Sequence, residues 1–254
     1  MHKNDTSAIS AWDIALTLVL LTRLPVPKLQ DQLFARQAKA VWAFPLVGLI
    51  VGTLACAVGW VALQIGLSPL ISATLCVTAM ITVTGAMHED GLADTIDGLW
   101  GGYTVDRRLE IMKDSHIGTY GVLGLIFSQL LRVLAIGILL EADWLSGVLV
   151  ASLFSRAMMP CVMRILPNAR KTGLSRSVGS PPSSSVLIGL GIALTFSLLT
   201  LGSSATIPML CAVGTSAVVA ATAKARIKGQ TGDILGAVQS VSEIAILLAL
   251  AAMI

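Results

Sequence analysis

Charge is scarce in this chain. Only 12% of its 254 residues are Asp, Glu, Lys or Arg, while 55% are hydrophobic. Soluble domains carry about twice that share of charge, and the mean hydropathy of +0.85 points the same way. Water is therefore excluded as the main solvent of the fold. Cysteine is sparse as well: Cys56, Cys76, Cys161 and Cys211 all fall inside apolar runs, and none has metal-ligand spacing. That pattern favours buried packing over disulfide or thiol chemistry. The first apolar stretch ends at Arg23 with no small-residue cleavage site, so the N-terminus reads as mature. No internal repeat is visible, which weakens a transporter built from two inverted halves.

Long apolar runs are what the chain has instead. Seven of them, near 41 to 63, 68 to 88, 118 to 140, 144 to 166, 184 to 203, 205 to 223 and 234 to 254, have about the 20 residues a spanning helix needs. The expected fold class is an all-α membrane protein, a polytopic helical bundle of about seven transmembrane helices in a single domain, 1 to 254. The stretch 12 to 24 is short, holds Asp13 and Arg23, and runs into Pro25-Val26-Pro27. It reads as an interfacial helix within a cytoplasmic N-terminal segment, 1 to 40. Charge tests the assignment independently. Seven spans place every Lys and Arg except Arg132 and Arg156 on one side, counting Arg164 at that side's end of its run. The short opposite connections near 64 to 67, 141 to 143 and 202 to 204 hold none. Positive loops stay inside, so the N-terminus and the polar loops are expected in the cytoplasm and the C-terminus outside.

The densest polar signal is His88-Glu89-Asp90-Gly91-Leu92-Ala93-Asp94-Thr95-Ile96-Asp97-Gly98, where the second run ends. In a helix, Asp90, Asp94 and Asp97 follow one another at one-turn intervals and share a face, while Glu89 points about 100° away. Oxygen-only donors on one face suit a hard cation, Mg²⁺ or Mn²⁺. A solvated acidic helix end, or Asp90 as a helix cap, is the plain alternative. It is weakened by the neighbouring membrane, where ionisable groups are costly and tend to be functional.

Three further stretches carry polar chemistry. Lys113, Asp114, Ser115 and His116 stand at the mouth of the third run, where Lys113 suits phosphate and Asp114 suits a metal or a proton. Arg170-Lys171-Thr172-Gly173-Leu174-Ser175-Arg176 and Lys224 to Asp233 are basic loops with glycines, as an anionic ligand requires. Positive-inside topology alone accounts for the number of basic residues there, but not for Gly229-Gln230-Thr231-Gly232-Asp233. Arg132, Arg156 and Glu243 lie deep inside runs, where structural pairing, such as Arg156 with Glu243, competes with a substrate role.

These residues together resemble the cobalamin synthase family, adenosylcobinamide-GDP ribazoletransferase. The matching stretches are Leu21-Thr22-Arg23-Leu24-Pro25-Val26-Pro27, Phe44-Pro45-Leu46-Val47-Gly48, Gly85-Ala86-Met87 leading into the acidic motif, Ile111 to Gly121, Ser155-Arg156, and Gly229 to Asp233 leading to Glu243. The resemblance implies that the ribose 3′-hydroxyl of α-ribazole, or of its 5′-phosphate, attacks the cobinamide-linked phosphorus of adenosylcobinamide-GDP. GMP leaves, and adenosylcobalamin or its 5′-phosphate forms. It further implies catalytic roles for His88, Asp94, Asp97, Lys113 and Asp114. Substrate contacts are implied for Arg23, Ser115, Arg156, Arg170, Arg176, Gln230, Asp233 and Glu243, and a Mg²⁺ site, with Mn²⁺ as substitute, for Glu89, Asp90, Asp94 and Asp97. The expected location is the bacterial inner membrane with the active site facing the cytoplasm. Expected partners are the two small-molecule substrates and membrane lipid, with pathway enzymes or a second copy of the chain as candidates and no nucleic acid. A cation-coupled transporter, with the acidic cluster as its ion site, is the alternative reading. CDP-alcohol phosphotransferases run a parallel reaction from an Asp cluster. This chain has Leu92-Ala93-Asp94 where they have Ala-Arg, so that parallel is one of mechanism.

Overall fold

Two consecutive residues in left-handed conformation shape the polar end of this molecule. Gly85 (φ +66°) and Ala86 (φ +59°) end one helix and start the next, turning the chain by 88°. The left-handed region costs nothing for Gly but about 1–2 kcal/mol for a residue with a Cβ, so Ala86 is held there by its surroundings. The computed structural model describes residue 7 and residues 9–254. Positions 1–6 and 8, part of the expected N-terminal segment, lie outside the described residues.

In chain order the helices are α1 (Trp12–Leu21), α2 (Gln37–Ala40), α3 (Phe44–Gln64), α4 (Pro69–Thr84), α5 (Met87–Gly101) and α6 (Val105–Ile111). They continue as α7 (Thr119–Glu141), α8 (Leu145–Ile165), α9 (Leu174–Val178), α10 (Ser183–Leu201), α11 (Thr206–Ile227) and α12 (Gly232–Ala251). No strand forms among the described residues; Asn168 and Gln230 make an isolated bridge. The all-α expectation holds.

The burial pattern is that of a protein dissolved in lipid. Outward faces are apolar, as at Leu187, Leu199, Leu210 and Val218, whereas the interior contains Glu89, Arg132, Arg156, Gln239 and Glu243. Central α8 packs on α3, α10 and α12. Its Val148, Val150, Ala151 and Leu153 are fully enclosed.

Five helical stretches are long and apolar enough to cross a bilayer, or six if α4 and α5 count as one broken span. The expected seven are not reproduced by length and composition. The run 68 to 88 is cut by the bend at Gly85 and Ala86, and the runs 184 to 203 and 205 to 223 merge into one stretch, Ser183–Ile227. A straight helix of those 45 residues would be about 68 Å long. Yet Ser183 Oγ accepts from Arg164 Nε at 3.1 Å near the end of α8, and Gln230, just past the stretch, pairs with Asn168, just past α8. The stretch therefore folds back, at Gly202 (φ +59°). The N-terminal helix is shorter than the 12 to 24 segment. At 10 residues α1 cannot span, and Trp12 and Val19 stay exposed. Its Asp13 is buried, accepting from Arg36 (3.0 and 3.1 Å) and Trp42 Nε1 (2.9 Å), which fastens α1 to the start of the bundle.

Candidate active site

The bend sends α5, with all four acidic residues of the motif, across the polar end of the bundle, where it packs on α12 and α7. Close approach to α12 depends on small residues. A Cβ on Gly91 would sit 2.9 Å from the Asp233 carbonyl oxygen and 3.2 Å from the Gly236 Cα. This crossing brings Asp233, 136 to 144 positions further along the sequence than the four acidic residues, beside the motif. Asp94 feels the charges of Asp233, Asp90 and Asp97 together with the opposite charge of Arg170.

The four acidic residues of α5 have three different fates. Glu89 is buried and paired with Arg132 Nη1 at 2.7 Å. Asp97 accepts the backbone N–H groups of Gly118 (2.7 Å) and Gly121 (2.8 Å), so its carboxylate holds the first turn of α7. A Cβ at either glycine would collide with that carboxylate. Asp90, exposed, and Asp94, half-buried, have no hydrogen-bond or ion-pair partner among the described residues. The expected shared face of Asp90, Asp94 and Asp97, with Glu89 assisting, is thus divided. Helical spacing aligns the carboxylates, but neighbouring helices claim Glu89 and Asp97. Among the described residues no three His, Cys, Asp or Glu side chains stand close enough to hold a metal by themselves.

Opposite this helix, two loops close against each other. Gln230 N–H donates to the Pro167 carbonyl and Ala169 N–H to the Gln230 carbonyl, both at 2.8 Å. Their side chains join too: Ser175 Oγ donates to Gln230 Oε1 at 2.6 Å, and Gln230 Nε2 donates to Asn168 Oδ1 at 3.0 Å. Arg170 forms an ion pair with Asp233 at 2.9 Å and donates to the Leu109 carbonyl at 3.2 Å. Between loops and helix lies a cavity of about 180 Å³, with Asp90, Arg170, Arg176 and Asp233 on its polar side.

Behind the cavity is a second network, fully enclosed. Arg132 reaches Glu89 with one nitrogen and Glu243 with the other, Nη2 lying 2.8 Å from Oε1, an ion pair too poorly aligned to count as a hydrogen bond. Glu243 also accepts from Gln239 (2.7 Å) and lies 3.8 Å from Arg156, which donates to the Ser152 carbonyl and hydroxyl at 2.8 Å each. Two positive and two negative charges therefore sum to zero inside the bundle. His88 is buried beside them, both ring nitrogens without a partner among the described residues.

A family profile described as cobalamin-5-phosphate synthase matches residues 13–251. The chain belongs to this family. Among its relatives are proteins named adenosylcobinamide-GDP ribazoletransferase. The one from Bradyrhizobium diazoefficiens is 41% identical over 94% of this chain and 93% of its own length. Those from Mesorhizobium japonicum and Sinorhizobium medicae are each 40% identical, covering 93% and 94% of this chain and 91% and 95% of theirs. No solved structure matches.

In this synthase-family chain the expected site residues fall into separate places. His88, Asp90, Arg170, Arg176, Gln230 and Asp233 line the cavity, and Asp94 stands beside it, close enough to feel the charges of Asp233, Asp90 and Arg170. Arg156 and Glu243, expected as substrate contacts, are 2% and 1% exposed and held by buried partners, although Arg156 Nε and Glu243 Oε1 make no hydrogen bond among the described residues. Lys113, Asp114 and Ser115 are exposed, and Lys113 and Asp114 border a separate shallow groove with Arg107 and Glu110. There the His116 ring nitrogen lies 2.7 Å from Asp114 Oδ1. This hydrogen bond, with the charge attraction, holds Asp114 below and His116 above its ordinary pKa. Arg23 donates its backbone N–H to Val83 at 2.7 Å and lays its side chain over Gly85, covering the bend. Asn168 was not singled out from the sequence, because one amide in a loop carries no periodic signal. Arg132, whose motif context was empty, is the bridge of the buried network.

Proposed function

We propose that this chain is an adenosylcobinamide-GDP ribazoletransferase that works with a divalent cation at the cytoplasmic face of the bacterial inner membrane. The observation that carries the reading is the pair Asp90 and Asp94, one turn apart and unpartnered, opposite the Arg170–Asp233 ion pair in a family member. Mg²⁺ is commonly held by one or two carboxylates together with waters and substrate phosphates. The donor set Asp90 and Asp94, with Asp233 near, fits that habit, and Glu89 and Asp97 are left to structural partners. A bound cation would supply neutralisation of charge on the diphosphate.

The residues of the chain do the rest. Arg170 and Arg176 offer planar guanidinium donors to phosphate oxygens, with the loop backbone around Gly173 beside them. The acceptor's 3′-hydroxyl oxygen forms the new bond to the cobinamide-linked phosphorus. Its proton passes to a carboxylate of the cluster, and the bond to the GMP oxygen breaks. The location rests on the concentration of basic residues in the loops of this end. A coupled transporter would favour ion ligands near the bilayer midplane. Here the unpartnered carboxylates sit at the polar end, and the charges buried within the bundle are already in ion pairs.

The test is GMP release by purified protein in nanodiscs, with adenosylcobinamide-GDP and with or without α-ribazole, as Mg²⁺ is titrated. Asp94→Asn keeps the side-chain shape, and turnover should drop at least tenfold with a raised Mg²⁺ requirement. Wild-type turnover and metal dependence in that variant would remove the carboxylate pair from the reaction.

A further inference from the structure

We infer that the inner wall of the cavity is the seat of the acceptor's aromatic base, and that Met159 and Met163 set which bases fit. This rests on the reading above that α-ribazole is the acceptor. The cavity has two unlike halves. Its polar side carries Asp90, Arg170, Arg176 and Asp233. Its inner side is formed by Leu21, Phe44, Met159, Met163, Val178 and Leu235, all buried and contributed by five different helices. A surface that five helices build together, beside the unpartnered carboxylate of Asp90, is unlike the lipid-facing apolar patches elsewhere on the bundle.

Size decides among the groups the two substrates bring. An apolar cavity of about 150 Å³ takes one benzene ring. A partly open cavity of about 180 Å³ therefore takes one bicyclic ring, and a corrin macrocycle with its amide side chains is excluded from it. Polarity decides among the three bicyclic bases that remain, guanine, the adenine of the adenosyl group and dimethylbenzimidazole. Guanine carries donors and acceptors around its whole edge, more than the buried His88 ring in this lining can pair, and burying the rest against Leu, Met, Phe and Val would leave them unpaired, which is costly. Adenine, like guanine, has ring nitrogens and an amino group that an apolar wall would leave unpaired. The dimethylbenzimidazole of α-ribazole has one free ring nitrogen and two methyl groups, and matches an apolar wall. Phe44 can stack on it or meet its edge, and thioether sulfurs pack well against ring edges. Methionine is also the most adaptable core side chain, so this wall would tolerate related bicyclic bases. With the base inside, the ribose faces the polar side, where the hydroxyl must react.

The experiment compares the two substrates in the enzyme in nanodiscs. Met163→Phe fills part of the cavity and should raise KM for α-ribazole at least tenfold while KM for adenosylcobinamide-GDP stays within twofold. On the unsubstituted protein, free 5,6-dimethylbenzimidazole should compete with α-ribazole, and guanosine at equal concentration should not. The native chain serves even if the variant fails to fold. An equal rise of both KM values, or competition by guanosine and not by the benzimidazole, overturns the assignment. Binding of the benzimidazole, followed by its own fluorescence, separates the two readings. Binding without any GMP release sinks the proposed reaction but leaves the base site standing.

Discussion

Replacing Arg132 with Gln removes the cation that forms an ion pair with Glu89. In the native chain Glu89 lies 2.7 Å and Glu243 2.8 Å from the two terminal nitrogens of Arg132, with the three side chains at most 10% exposed. Removing one partner of such a buried pair costs about 3–5 kcal/mol, because the charge left behind has neither water nor a counter-ion. The loss is not evenly shared. Glu243 retains Gln239 at 2.7 Å and Arg156 at 3.8 Å, whereas the second oxygen of Glu89 already lacks a partner. Glu89 therefore carries most of the cost, and the double variant Glu89→Gln with Arg132→Gln should recover at least about half of it. For a domain of roughly this size about 1 kcal/mol moves Tm by about 2–4 °C, so the single variant should melt about 6–20 °C lower. Thermal unfolding in detergent, read as a double-mutant cycle, measures both numbers. A loss under about 1 kcal/mol, or a double variant no better than the single one, would refute the view that this pair fastens α5 to α7.

Further outcomes follow from other contacts. Asp97→Ala removes the acceptor of two backbone N–H groups at the start of α7, and charge-assisted bonds of this kind are worth about 1.5–3 kcal/mol each. Hydrogen exchange at Gly118 and Gly121 should accelerate; unchanged protection would show that Asp97 does not hold that turn. His116 should titrate above the ordinary imidazole range and return to it in Asp114→Asn, as followed by its ring proton resonances. Because the folded value is raised, this pair's small contribution to stability is present below the ordinary His pKa and fades as pH rises through the folded one. Ser203→Cys should be labelled by an impermeant thiol reagent added outside intact cells and Ser177→Cys should not; the reverse pattern would invert the proposed topology.

Much of this protein was legible in its residues alone. Scarce charge and long apolar runs follow from the solvent, since lipid imposes helices of a minimum length, so class and approximate spans could be read without coordinates. The motif from His88 to Gly98, and the loops around Arg170 and Gln230, stood out because polar residues beside a membrane need a reason. What the tertiary structure decided is how those residues are divided. Periodicity puts Asp90, Asp94 and Asp97 on one face of a helix, but it cannot say that glycines at the start of α7 wait for Asp97, or that Arg132 draws Glu89 inward. Nor does the sequence mark Gly85 and Ala86 as a right-angled bend, because Ala86 in a left-handed conformation runs against its own preference and is imposed by packing. Hydrogen bonds between neighbouring residues leave a pattern in sequence. Ion pairs over 43 and 111 positions, such as those joining Arg132 to Glu89 and to Glu243, leave none, because any two oppositely charged residues could have made them and only the packing of α5, α7 and α12 chose these.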